Sequence, residues 1–217
     1  MKKVLQRDWT PIVILGILAL TFGWMLPKLG FYQDDWAMAF DNLAKGPQGT
    51  YYYHLYDSRP GREWYMNLLF LLVGHKPLGW QVYGLLMRFL TVLFAWMSFR
   101  QIWPNSKAVI SAAACLFAVY PVFTQQALPL TYSLHWISYP LFFLSLFLMI
   151  RAVRSTRNRW LLMILSIAAD GLSVLFNEFF IGLELIRFPI LWFLLSDERD
   201  GRAQKSFLMF LPYRMIL

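Results

Sequence analysis

The sequence predicts an all-α fold, a polytopic transmembrane helix bundle with a long first outer loop that carries interfacial helices. Three observations predict it. Apolar residues make up 59% of the 217-residue chain and charged residues 15%, against about 45–50% and about 25% in soluble domains; mean hydropathy is +0.48. The apolar residues fall in runs long enough to cross a hydrocarbon core of about 30 Å, which takes about 20 helical residues. Lysine and arginine gather between alternate runs, as the positive-inside rule requires. The same composition excludes a disordered chain, and one cysteine, Cys115, excludes a disulfide scaffold. The net charge of +8 does not point to nucleic acid, because the basic residues are dispersed as helix flanks.

The elements follow in order. Residues 10–29 form the first span, preceded by a basic tail and followed by no small-residue cleavage site, so it reads as a retained helix rather than a signal peptide. In residues 35–44 the apolar side chains Trp36, Met38, Ala39, Phe40 and Leu43 lie close to one helical face, which predicts a helix at the membrane surface; Gly46-Pro47-Gln48-Gly49 ends it. Residues 64–73 are apolar but reach only roughly 15 Å, half the hydrocarbon thickness. Further spans are expected at 79–99, 108–123, 135–150, 160–176 and 179–195, with Asn177-Glu178 at a tight outer turn. Residues 207–217 begin a seventh helix too short to cross, so the chain reads as the N-terminal part of something longer and as a single transmembrane domain over residues 1–217.

The short apolar run decides the topology. If it lies flat, the cytoplasmic side holds Lys2, Lys3, Arg7, Arg100, Lys107, Arg151, Arg154, Arg157, Arg159, Arg199, Arg202 and Lys205, twelve in all, against five outside: Lys28, Lys45, Arg59, Arg62 and Lys76. If it spans, the inside keeps four and thirteen move out. The rule selects the first arrangement, with a cytoplasmic N-terminus and residues 30–78 as one outer loop.

Ionisable groups cluster in two places. Asp34 and Asp35 stand just past the first span, among Tyr32 and Trp36; being adjacent on a helix they cannot face the same way, so one can enter a cleft while the other caps the helix. Within the spans lie Arg88, Asp170, Glu184 and Arg187. Charges at such depth face a bundle interior or a wet cavity and carry function by default, although Glu184 and Arg187, three apart, can also pair along one helix face. His54, His75 and His135 have no metal-ligand spacing, so a divalent metal finds little support and no cofactor is implied.

The order of several short motifs resembles the C-type (GT-C) integral-membrane glycosyltransferases, the superfamily of protein O-mannosyltransferases and aminoarabinose transferases. These motifs are Phe31-Tyr32-Gln33-Asp34-Asp35-Trp36 after the first span, then Ser58-Arg59-Pro60, and then Gly74-His75-Lys76-Pro77-Leu78-Gly79 before a long helix. Phe117-Ala118-Val119-Tyr120-Pro121-Val122-Phe123 follows, and Asn177-Glu178 stands where members carry an acidic turn. Each motif is short and degenerate. The chain departs from the pattern in lacking the further helices and C-terminal domain of a full member, and in having Asp-Asp where Asp-Glu is common. The resemblance implies transfer of a sugar from a polyprenyl-phosphate carrier in the membrane to an acceptor on the outer face. Asp34 or Asp35 would be the general base, Asp34 being the first acid of the family pattern. Arg59, Arg62, Arg88 and Arg187 would recognise the carrier phosphate, because guanidinium suits phosphate geometry, and Glu178 would join that binding set.

Two other classes stay open on the residues alone. A transporter or lipid-handling protein would use the intramembrane charges as a path and would be expected to show inverted repeats and broken midplane helices, but no repeat is evident. A non-catalytic subunit would leave the site to a partner chain that completes the bundle.

Overall fold

The computed structural model describes residues 8–56, 62–120 and 124–197, with side chains of 56, 124, 125, 196 and 197 excepted. Arg59 and the expected seventh helix lie outside the described residues. Among the described residues, four helical segments are long and apolar enough to cross a membrane: Thr10–Lys28, Pro77–Ile102, Ser133–Arg154 and Arg159–Phe176. They are α1 (Thr10–Thr21) with its 3₁₀ extension Gly23–Lys28, α5 (Pro77–Ile102), α7 (Ser133–Arg154) and α8 (Arg159–Phe176). Between the first two lie α2 (Asp34–Lys45), α3 (Pro47–Tyr56) and α4 (Glu63–Val73); α6 (Lys107–Ala118) follows α5, and α9 (Arg187–Asp197) closes the described chain. No strand occurs among the described residues. The expected all-α membrane bundle is present.

Serine pairs set the packing of α7 on α8. Ser138 Oγ donates to the Ser173 carbonyl at 3.1 Å and Ser173 Oγ donates back to the Ser138 carbonyl at 3.0 Å. Ser145 and Ser166 repeat the exchange at 2.7 and 2.8 Å. The two rungs are seven residues apart on each helix, two turns of antiparallel contact, and all four serines are fully buried. Small side chains let backbones approach closely where lipid offers no hydrophobic drive between helices.

Three expected elements differ. The turn at Gly46-Pro47-Gln48-Gly49 does end α2, with Gly46 at φ +60°, but Pro47 immediately opens α3, an element the sequence reading missed. A Cβ on Gly49 would sit 2.0 Å from the Asp41 carbonyl oxygen, so the tight α2–α3 corner requires glycine there. The third span, expected at 108–123, is α-helical only to Ala118, about 18 Å of helix. Arg88 accounts for its early end: Nε donates to the Ala118 carbonyl at 2.8 Å and Nη2 to the Tyr120 carbonyl at 3.1 Å. Carbonyls past the last helical turn need outside donors, and a buried guanidinium supplies them where water is absent. The sixth span, expected at 179–195, is a nine-residue 3₁₀ segment, Glu178–Ile186, followed by α9.

Both ends of α4 are tied to one end of the bundle. At its N-terminus Arg62 pairs with Glu178, just past α8, and the Tyr65 ring lies 4.6 Å from that of Phe176. At its C-terminus Trp80 Nε1, near the start of α5, donates to the Gly74 carbonyl at 2.8 Å. A helix attached in this way lies across the helix ends instead of running down the bundle. The core beneath it joins Met38 and Ala39 of α2, Met66, Leu69 and Phe70 of α4, and Trp80, Leu134, Trp136 and Phe176 of the spans.

Candidate functional site

The acid pair sits at that same end, at the first turn of α2. Successive helical residues point about 100° apart, and the pair divides accordingly: Asp34 is exposed and Asp35 is fully buried. Asp35 Oδ1 accepts from the Thr131 backbone N–H at 2.7 Å and from the Thr131 hydroxyl at 2.6 Å. Its Oδ2 faces the Tyr32 N–H at 3.5 Å. Asp35 thus staples the first turn of α2 to the loop before α7. Burial pushes its carboxyl above the ordinary carboxylate range, the donations from Thr131 and Tyr32 pull against that rise, and the neighbouring Asp34 charge adds to it.

Gln33, immediately before the pair, has φ +47° and ψ −123°. A non-glycine residue in that region carries strain of order 1–3 kcal/mol, and such strain persists only where the surroundings impose it. The Asp35–Thr131 staple on one side and the T-shaped contact of Phe31 with Trp36, 5.7 Å between centroids, on the other fix the two flanks of Gln33. Its backbone absorbs the mismatch, and Asp34 is the first helical residue beyond it.

A line of contacts runs from the acids to the α8–α9 turn. Next to Thr131, Tyr132 lies edge-on to His135 at 5.2 Å, and His135 meets Phe179 at 6.5 Å. Beside Phe179, Glu178 pairs with Arg62. The Arg62 side chain is 10% exposed and that of Glu178 45%, so the pair is reachable from solvent at its acidic partner. The structure therefore brings Asp34, Asp35, Arg62 and Glu178 to one end of the bundle.

Arg88 and Arg187 lie elsewhere in role. Besides the two carbonyls, Arg88 donates from Nη1 to Gln126 Oε1 at 3.2 Å and stacks over Phe22 at 4.2 Å. Arg187 donates to Asp170 Oδ1 at 2.5 Å and to Glu184, with all three residues at most 4% exposed. Side chains three apart eclipse in a 3₁₀ helix, which is why Glu184, inside the 3₁₀ segment, meets Arg187 at the start of α9. This triad ties α8 to α9, and a guanidinium enclosed by two carboxylates offers no open face to a phosphate.

Thr131 is the site residue that sequence reasoning missed. It stands in the loop before α7, and nothing local marks it as the partner of an acid 96 positions earlier. Among the described residues no group of three or more His, Cys, Asp or Glu is arranged to hold a metal ion.

The family model described as dolichyl-phosphate-mannose-protein mannosyltransferase matches residues 57–217. No curated protein and no solved structure matches the chain.

Proposed function

Because the chain belongs to the dolichyl-phosphate-mannose-protein mannosyltransferase family of membrane glycosyltransferases, we propose that it moves a sugar from a polyprenyl-phosphate carrier to an acceptor on the outer face, with Asp34 as the general base. The observation that carries this reading is the division of the acid pair. Asp35 has both carboxylate oxygens engaged inside the fold, whereas Asp34 presents its carboxylate to solvent one residue away, on a segment held rigid by that engagement.

In the reaction, Asp34 takes the proton of the acceptor hydroxyl as its oxygen attacks the anomeric carbon. The bond from that carbon to the carrier phosphate oxygen breaks, and the phosphate leaves with the electron pair. A base within hydrogen-bond reach of the hydroxyl contributes about 10²–10⁴-fold. The departing phosphate needs cationic donors. Arg62 is the described cation at the acid-pair end that suits this role, with Arg59 close to it in sequence; Glu178 orients Arg62 in the resting protein. The N-terminus is assigned to the cytoplasm and the acid-pair end to the outer face by the lysine and arginine count.

The test is sugar transfer by the full-length protein in proteoliposomes. Asp34→Asn should lower turnover by about 10²–10⁴-fold while carrier binding stays near the parent value, the pattern of a lost transition-state interaction. Full turnover in Asp34→Asn would remove Asp34 from the mechanism.

A further inference from the structure

Away from the acid pair, at the opposite end of the bundle, a groove of about 460 Å³ lies between α5 and α6. Trp96 and Phe99 line it from α5, Trp103 from just past the end of α5, and Ile110, Ala113 and Phe117 from α6; Ser106 supplies the one hydroxyl of the lining. It follows α6 from Ser106 to Phe117, roughly 16 Å, which is about half the hydrocarbon core and so the depth of one leaflet. Trp103 is half exposed at the end where Ser106 lies, the position a tryptophan takes at a membrane–water boundary.

That end is cationic. Arg100, one turn before Trp103, and Lys107, next to Ser106, both approach a single carboxylate: Asp8 Oδ2 is 4.0 Å from Arg100 Nη2 and 3.4 Å from Lys107 Nζ. Two cations on one acid leave a net positive charge. Arg151, Arg154 and Arg159 close the same end of the neighbouring helices.

We propose that this groove holds one acyl chain of an anionic phospholipid from the leaflet at the basic end, with its headgroup phosphate against Arg100 and Lys107. The apolar lining, open to the side, suits a chain without polar atoms, the one-leaflet depth matches a chain anchored at the surface, and the charge selects the headgroup. The site is separate from the acid pair and does not depend on the transferase reading.

The test counts lipid and not sugar transfer. Full-length protein is reconstituted in vesicles of phosphatidylglycerol and phosphatidylcholine in equal amounts, extracted in mild detergent, and its retained lipid measured by mass spectrometry. Phosphatidylglycerol should be retained over phosphatidylcholine by about fivefold, the preference one net basic charge confers at a membrane surface. Ala113→Trp, which fills the groove, should abolish retention at an unchanged elution volume. The double variant Arg100→Gln with Lys107→Gln leaves the core untouched and, with Asp8 then the one charge left of the three, should abolish the preference for phosphatidylglycerol and turn it toward phosphatidylcholine, so the proposal stays testable if Ala113→Trp fails to fold. Equal retention of both lipids by the parent, or undiminished phosphatidylglycerol in the double variant, overturns it. So does higher retention after truncation at residue 197, which would mean that the chain's own C-terminal segment fills the groove. Disulfide dimers through Ala113→Cys in a Cys115→Ala background would show a second copy there and overturn it equally.

Discussion

Replacing Thr131 by valine isolates the staple that divides the acid pair. Valine keeps the shape and the backbone N–H but removes the hydroxyl that donates to Asp35 at 2.6 Å. A hydrogen bond to a charged group is worth about 1.5–3 kcal/mol, and Asp35 is fully buried, so solvent cannot replace the lost donor. Thr131→Val should therefore lower stability by about 1.5–3 kcal/mol at neutral pH. The pH dependence follows from the raised Asp35 carboxyl. The folded protein binds this proton more tightly than the unfolded chain does. The contribution of Asp35 is thus most favourable below its unfolded value and is lost as pH rises through its folded value. Thr131→Val removes a donor that stabilises the ionised form, so its folded value lies higher and the decline extends to higher pH. Parent and variant should converge in acid and separate toward neutral pH. Unfolding by sodium dodecyl sulfate in mixed micelles across that range measures both curves, with Asp35→Asn as the pH-flat control. A parent–variant difference that does not change with pH, or none at neutral pH, would refute the staple as the source of the division.

Three further outcomes are expected. Arg187→Met leaves Asp170 and Glu184 buried without their cation and should cost about 3–5 kcal/mol by the same unfolding assay, while adding Asp170→Asn and Glu184→Gln should recover most of it. Ser145→Leu overfills the α7–α8 contact and should cost about 1–3 kcal/mol, against about 0.5–1.5 kcal/mol for Ser145→Ala, which only breaks a rung. In a Cys115→Ala background an impermeant thiol reagent added outside should label a cysteine at position 76 and spare one at 154; the reverse pattern would invert the assigned orientation.

The sequence by itself determined the fold class, the long spans expected at 79–99, 135–150 and 160–176 and present as Pro77–Ile102, Ser133–Arg154 and Arg159–Phe176, and the place of the acid pair. These are one-dimensional properties: a span is a run of apolar residues of bilayer length, its ends are marked by charge, and Asp34-Asp35 stands where the first span stops. The helix α2 was legible for the same reason, since its apolar residues repeat at helical spacing. Other features depended on partners far along the chain. Asp34 and Asp35 are chemically alike, set apart on paper by the resemblance alone, and only the position of Thr131, 96 residues on, decides which is buried. Arg88 read as a functional charge because a lone arginine in a span has no visible partner; the partners are carbonyls of α6, which sequence does not display. The same donation shortened the third span, and the enclosure of Arg187 by Asp170 and Glu184 joined a residue of α8 to two beyond it. The serine rungs look like unremarkable polar residues until α7 and α8 pack antiparallel, when the seven-residue spacing on each helix brings every Ser to the other's carbonyl. Spans are selected by lipid one helix at a time, whereas buried polar groups are selected by one another, and that pairing exists only in three dimensions.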